Sequence, residues 1–251
     1  MFLHQIRTEQ KLYWRSRESA VFTFIFPLML FVLLGSVYKG RYPGAPYYDK
    51  PAPQILLAAL LAYGCAMVAF AGLAITLVIR REGSLLKRLR ATPLPPLTFV
   101  ASLLASTLVV FGIETIALFL LGRVVYGTPF PDRIGSIAGI VVIGGICFAA
   151  MGVGLSGFVR SAEGSSAVVN LIVLPMAFLT GSFGPTLHYP HVLRVIGEVL
   201  PLKYLVDLTN AVYLHGESLW SQPKAIGILA AWGAAGLVGA FFRFRWEPRE
   251  G

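Results

Sequence analysis

A chain of 251 residues that is 56% hydrophobic and 13% charged is too apolar for an ordinary soluble domain, in which about a quarter of the residues carry charge. The +9 net charge, from 21 Lys plus Arg against 12 Asp plus Glu, therefore does not indicate nucleic acid, because no hydrophilic body accompanies it. Apolar content excludes disorder, two cysteines (Cys65 and Cys147) exclude a disulfide framework, and the lack of a Gly period excludes a collagen-like chain. What remains is an all-α polytopic membrane protein.

The first element, residues 1–19, reads as an amphipathic interfacial helix. Phe2, Leu3, Ile6, Tyr13 and Trp14 fall on one arc and His4, Arg7, Thr8, Lys11, Arg15 and Glu18 on the other, suiting a helix in the headgroup plane with cations toward anionic lipid. A basic leader without structure is the alternative. The segment lacks the uninterrupted apolar run and small-residue cleavage site of a signal peptide.

Six stretches are apolar and long enough to cross about 30 Å of hydrocarbon: residues 21–38, 55–79, 97–122, 134–159, 165–183 and 225–242. Pro27 and Pro175 each remove an in-helix hydrogen bond and are expected to kink the first and fifth spans. Even span number puts the termini on one side. That side holds thirteen of the 21 basic residues, among them Arg7, Lys11, Arg15, Arg80, Arg81, Lys87, Arg88, Arg90 and Arg243, so both termini are expected in the cytoplasm.

Glu114 is the one ionisable side chain well inside a span, where an acid costs roughly 2.5–3.5 kcal/mol on insertion scales. It is expected to hold a polar bridge between helices or to line a substrate path. Between the last two spans, residues 191–214 read as two short amphipathic helices, separated by Pro201, that dip into the membrane or cover the exit on the outer face.

Catalytic chemistry is sparse. There is no G-x-x-x-x-G-K-[ST] phosphate loop, no HExxH and no G-x-S-x-G elbow. His188 and His191, spaced H-x-x-H, suit a polar turn or an incomplete metal site, and the cysteines read as small packing residues.

Immediately after the second span, residues 81–91 form a short cationic helix. Glu82, Gly83 and Ser84 read as its initiating turn, Leu85, Leu86 and Leu89 as an apolar ridge, and Lys87, Arg88 and Arg90 as its cationic flank, before Thr92-Pro93 stops it. Such a helix suits a groove on a soluble partner, or lipid headgroups.

EGSLLKRLRATPL at Glu82 to Leu94 resembles the coupling helix of integral-membrane permeases of ABC exporters of the ABC-2 type. NLIVLPMAFLTGSFGP at Asn170 to Pro185 is similar to that family's fifth-span run, and Pro190, Leu200-Pro201-Leu202, Tyr204 and Asp207 to the motif after it. Tyr189 and Asn210 depart from the residues common there, Leu and Arg. The resemblance covers essentially the whole chain and implies a single transmembrane domain, residues 1–251, that is no enzyme itself. It implies a half-transporter in the bacterial cytoplasmic membrane, pairing with a second permease copy and two copies of a separately encoded ATPase that carries ATP and Mg. Glu82, Gly83, Ser84, Leu85, Lys87, Arg88, Leu89 and Arg90 then become the ATPase-coupling residues. Phe24, Phe26, Phe31, Glu114, Asn170, Pro175, Met176, Phe178 and Phe183 become candidates for the substrate path or permease interface, although Phe and Met on a span also pack against neighbours or lipid. The implied cargo is an amphipathic drug or antibiotic, with a lipid-linked glycan or polysaccharide second. A stand-alone secondary transporter would call for paired intramembrane charges or inverted repeats, and neither is visible.

Overall fold

The computed structural model describes residues 2–38, 50–91, 95–184, 186 and 189–244. His188, Pro185, Thr92-Pro93-Leu94 and the basic tail beyond Phe244 lie outside the described residues. Among those described, every regular element is helical.

In chain order the helices are α1 (Phe2–Arg15), α2 (Arg17–Val37), α3 (Ala52–Cys65), a π-helical segment (Ala66–Gly72), α4 (Leu73–Glu82), α5 (Leu85–Arg90), α6 (Pro96–Tyr126), α7 (Ile134–Ser156), α8 (Ala162–Leu179), α9 (His191–Val199), α10 (Pro201–His215) and α11 (Pro223–Arg243). Five helical stretches are long and apolar enough to cross a membrane: Ala52–Glu82, Thr98–Tyr126, Ile134–Ser156, Ala162–Leu179 and Pro223–Arg243. They correspond to the second to sixth stretches expected. The first lies in α2, whose described apolar part, Thr23–Val37, is shorter.

α3, the π segment and α4 run on as one 31-residue rod, Ala52–Glu82, which is the centre of the bundle. Small residues and leucines make up much of its buried surface: Ala58, Ala59, Ala62, Ala66, Ala69 and Ala74, with Leu57, Leu60 and Leu61, are all buried. Small side chains let helix backbones approach, and in lipid that close packing, not hydrophobicity, drives association. The seven-residue π segment is the irregular stretch of the rod, and α7 crosses it at Gly152, where a Cβ would stand 2.6 Å from the Phe70 carbonyl oxygen. π turns are uncommon and concentrate where a helix is adapted to a task.

α7 and α11 form the closest helix pair, because Gly236 lies directly on α7: a Cβ there would be 2.6 Å from the Met151 backbone nitrogen. The outer helices keep one face unburied. α2 presents Val21, Ile25, Met29, Leu33 and Val37, four residues apart, as an exposed apolar stripe, and α8 presents Leu171, Leu174 and Phe178. Pro27 and Pro175 sit inside α2 and α8 as expected from their positions.

The pair α9–α10 divides at Pro201, which occupies the first turn of α10, where its missing N–H has no intrahelical partner to lose. The two helices differ more than their sequences suggest. α9 exposes Val192, Val195, Ile196 and Val199, whereas α10 buries Leu202, Leu205, Leu208 and Val212 completely or nearly so against α3 and α11. α10 is therefore a core element and not a surface amphipathic helix.

Gly236→Val should separate α7 from α11 and lower stability by about 1–3 kcal/mol, the usual cost of overpacking. Gly227→Ala on the same helix meets nothing within 4 Å and should be neutral or stabilising; thermal unfolding of both variants in nanodiscs checks the difference.

Candidate functional site

Three consecutive charged residues end the central rod, and each is fastened to a different element. Arg80 donates from Nη2 to Glu9 Oε2 of α1 at 2.6 Å. Arg81 is buried and donates from Nη1 to the Ser156 carbonyl oxygen at 2.8 Å and from Nη2 to the Val159 carbonyl oxygen at 2.5 Å. The Glu82 carboxylate accepts from the backbone N–H of Ala162, the first residue of α8.

The polarity of these contacts follows from helix ends. The last carbonyls of a helix have no intrahelical donor and carry partial negative charge, so a guanidinium at the end of α7 satisfies both needs. The first N–H groups of a helix are the complementary case, and α8 receives a carboxylate there as well as the Ser161 side chain, which accepts from Gly164 at 3.2 Å. Arg81 and Glu82 thus hold the two ends of the α7–α8 connection with opposite charges matched to opposite dipoles.

After Glu82 the chain turns through Gly83 and Ser84. Ser84 has a φ of 57°, a left-handed conformation uncommon outside glycine, and its hydroxyl makes no capping bond. The turn launches α5, whose three leucines are not one ridge: Leu86 is fully buried, Leu89 is half-buried and Leu85 is exposed beside exposed Lys87 and Arg88. Leu86 anchors the helix and Leu85, Lys87 and Arg88 face outward. Glu82, read with Gly83 and Ser84 as the initiating turn, is instead the last residue of α4, exposed and accepting from the first residue of α8. Arg90 closes α5; its side chain lies outside the described residues.

α1 is fixed more firmly than a helix floating in headgroups. Glu9 is its most buried residue, receiving Arg80 and also Gln5 Nε2 at 3.0 Å, while Gln10 Nε2 donates to the Ser106 carbonyl oxygen at 2.8 Å and to its Oγ at 2.9 Å on α6. The helix therefore turns Glu9 and Gln10 toward the bundle, together with Tyr13, and leaves Phe2, Leu3 and Trp14 exposed.

Between α1 and the bundle lies a cavity of about 520 Å³. Its wall comprises Glu9 and Tyr13 of α1, Thr23 of α2, Met67 of the π segment, Leu73, Thr76 and Arg80 of α4, Ser106, Thr107 and Val110 of α6, and Ser166 and Asn170 of α8.

The candidate path residues divide among different surroundings. Asn170 lines the cavity. Phe26 stands 6.4 Å from the Tyr63 ring, Tyr63 4.9 Å from Phe183, and Phe183 4.9 Å from Phe178, so these three candidates join through Tyr63 into one aromatic chain from α2 to the end of α8. Phe24 instead stacks on Trp14 at 5.3 Å. Phe31 is buried against Tyr126, whose hydroxyl donates to the Val32 carbonyl oxygen at 2.6 Å, and Met176 is likewise buried. Pro175 is on an exposed face of α8.

Glu114 is fully buried on α6, facing α3, where a Cβ on Gly64 would come within 2.6 Å of its Oε1. Neither carboxyl oxygen has a hydrogen-bond partner among the described residues, and the neighbouring Thr115 hydroxyl also has none. The expected hydrogen-bonded bridge is not formed there, and Glu114 is not on the cavity wall. Cys65 and Cys147 are buried and unbridged, Cys65 beside α7 at Gly144.

Charge counting missed Glu9, Gln10 and the inward role of Arg81, and aromatic patterning missed Tyr63. The available signal for Glu9 was an acid on an otherwise basic interfacial helix. Arg81→Lys keeps a cation but leaves one of the Ser156 and Val159 carbonyls without a donor, at an expected cost of about 1–3 kcal/mol; thermal denaturation against wild type in nanodiscs checks it.

Residues 2–214 match the family model described as ABC-2 type transporter. The chain is also 25% identical over 173 residues to the inner membrane transport permease YhhJ of Escherichia coli (strain K12), and equally to the protein of that name from Shigella flexneri. The match takes in 67% of this chain and 46% of each relative, so the chain spans about half the length of the curated relatives it matches. A family match over most of the chain, on a bundle of apolar helices, makes this protein a membrane permease of the ABC-2 type transporter family.

Proposed function

We propose that the chain is the transmembrane subunit of an ATP-driven exporter that moves an amphipathic drug, antibiotic or lipid-linked substrate out of the cytoplasm or inner leaflet. Two permease copies and two copies of a separate ATPase make up the working assembly, and ATP with Mg binds on the ATPase. α2 serves as a sixth span. Both termini and α5 face the cytoplasm, in keeping with the basic residues gathered at Arg80, Arg81, Lys87 and Arg88 and in α1. The inner membrane is the location that the relatives' printed name supports.

The observation that carries this reading is the fastening of α5 through residues 80–82. A partner pressing on exposed Leu85, Lys87 and Arg88 acts on a helix joined by one turn to the buried contacts of Arg81 and the contact of Glu82 with α8. Movement of α5 is thereby delivered to the ends of α7 and α8 and, through Arg80 and Glu9, to α1. α8 carries Asn170 on the cavity and leads into Phe178 and Phe183, so the same movement reaches the cargo route.

The experiment is reconstitution with candidate ATPase subunits. Lys87→Glu with Arg88→Glu should reduce ATPase co-purification at least about tenfold, the scale of losing two surface charge contacts, without lowering the melting temperature. Glu82→Gln should retain the ATPase but lower transport per ATP hydrolysed. Transport that persists in vesicles free of any ATPase would overturn the reading.

A further inference from the structure

We propose that the cavity between α1 and the bundle is a binding site for an uncharged amphiphile, one apolar chain bearing a hydroxyl-rich head, and that it selects against phosphorylated or cationic heads. Only in treating the ligand as cargo does this rest on the export reading.

The selection follows from charge. Among the described residues on the wall the only charged side chains are Glu9 and Arg80, and these neutralise each other at 2.6 Å with 2% and 14% of their side chains exposed. A phosphate arriving in the cavity would have to take Arg80 from Glu9 and leave a buried carboxylate uncompensated. A cationic head would do the reverse to Arg80. Breaking one side of a buried pair is far more costly than the new contact is favourable, since the abandoned charge stays desolvated.

What the wall does offer is neutral and polar, from separate elements. The buried Tyr13 hydroxyl lies beside Thr23 without closing a hydrogen bond. Thr76 and the Asn170 amide add donors and acceptors from α4 and α8, and Met67, Leu73 and Val110 add apolar surface. A volume of about 520 Å³ lies inside the roughly 300–1,000 Å³ of small-molecule sites and is too small for a polymer or a polyisoprenoid-linked glycan. Exposed Ser166 and Asn170 open it beside α8.

The test uses the full chain in nanodiscs with two photoactivatable diazirine probes of the same acyl chain, a monoacylglycerol and its phosphate, lysophosphatidic acid. Monoacylglycerol should label cavity peptides and lysophosphatidic acid should not. Asn170→Leu with Thr76→Val should raise the half-saturating monoacylglycerol concentration about tenfold, the worth of one or two neutral hydrogen bonds. Glu9→Gln, which frees Arg80, should bring in lysophosphatidic acid, and Glu9→Gln with Arg80→Gln should exclude it again, which separates charge selection from loss of folding. Equal labelling by both probes in the wild type, labelling unmoved by the Asn170/Thr76 variant, or no change of preference in Glu9→Gln would overturn the proposal. Labelling needs no ATPase, so cavity labelling without ATPase association keeps the site and removes export, and ATPase-coupled transport without cavity labelling does the opposite.

Discussion

A guanidinium held at the carboxyl end of one helix, with a carboxylate beside it held at the amino end of the next, is the constraint on which this bundle turns. Arg81 supplies donors to the Ser156 carbonyl closing α7 and to the Val159 carbonyl just beyond it, and Glu82 supplies an acceptor to the N–H opening α8. Arg81 would not be tolerated in its buried setting without those carbonyls, because a buried charge must be matched by charge or oriented dipoles. The connection between α7 and α8 is correspondingly short and fixed, and the rod Ala52–Glu82 cannot shift along its axis without carrying both helix ends with it. Arg80 adds α1 to the same unit through Glu9.

The rod itself is suited to carrying displacement. It is continuous for 31 residues, and its most apolar stretch is 83% buried, with alanines where neighbours approach. A densely packed rod moves as a body more readily than it bends, since interiors have little free volume to absorb strain. The irregular stretch is the π segment, whose altered hydrogen bonding locates any bend at Ala66–Gly72, opposite Gly152 of α7 and next to the cavity wall at Met67. Glu114 lies against Gly64, just before the π segment in the rod, and the space for its carboxyl exists because residue 64 has no side chain.

How much of this could be read in the amino-acid sequence depends on the range of the interaction. Five of the six apolar stretches coincide with helices long enough to span, because twenty apolar residues in a row have one cheap use in water and lipid. The Pro201 boundary and α5 were likewise legible, since proline, glycine and charge act locally. Long-range pairing was not. Glu9 and Arg80 are separated by 71 residues, Arg81 and Val159 by 78, and a count of cations by loop treats all of them as surface charge. The same blindness gave Glu82 to the turn that starts α5, merged Leu86 with Leu85, and left α10 at the surface, though its leucines are buried in the core, Leu205 against α7 at Gly144. The path aromatics were half legible: Phe26, Phe178 and Phe183 do converge, but through Tyr63, a residue that the apolar run around it conceals.

Arg80 belongs at once to the fastening of the rod and to the wall of the cavity, and that double membership links two things that would otherwise be separate. Any ligand that strengthens or competes with the Glu9 pair changes the free energy of holding α1 against α4, and any displacement of α4 changes the shape and charge of the cavity. The coupling is reciprocal by thermodynamic necessity: if moving α5 alters affinity in the cavity, occupancy of the cavity biases the position of α5 by the same factor. Three adjacent residues thus set the drive, the helix ends it acts on and the electrostatic balance of the site, which is why the charges of this chain cluster where the rod ends and not along its length.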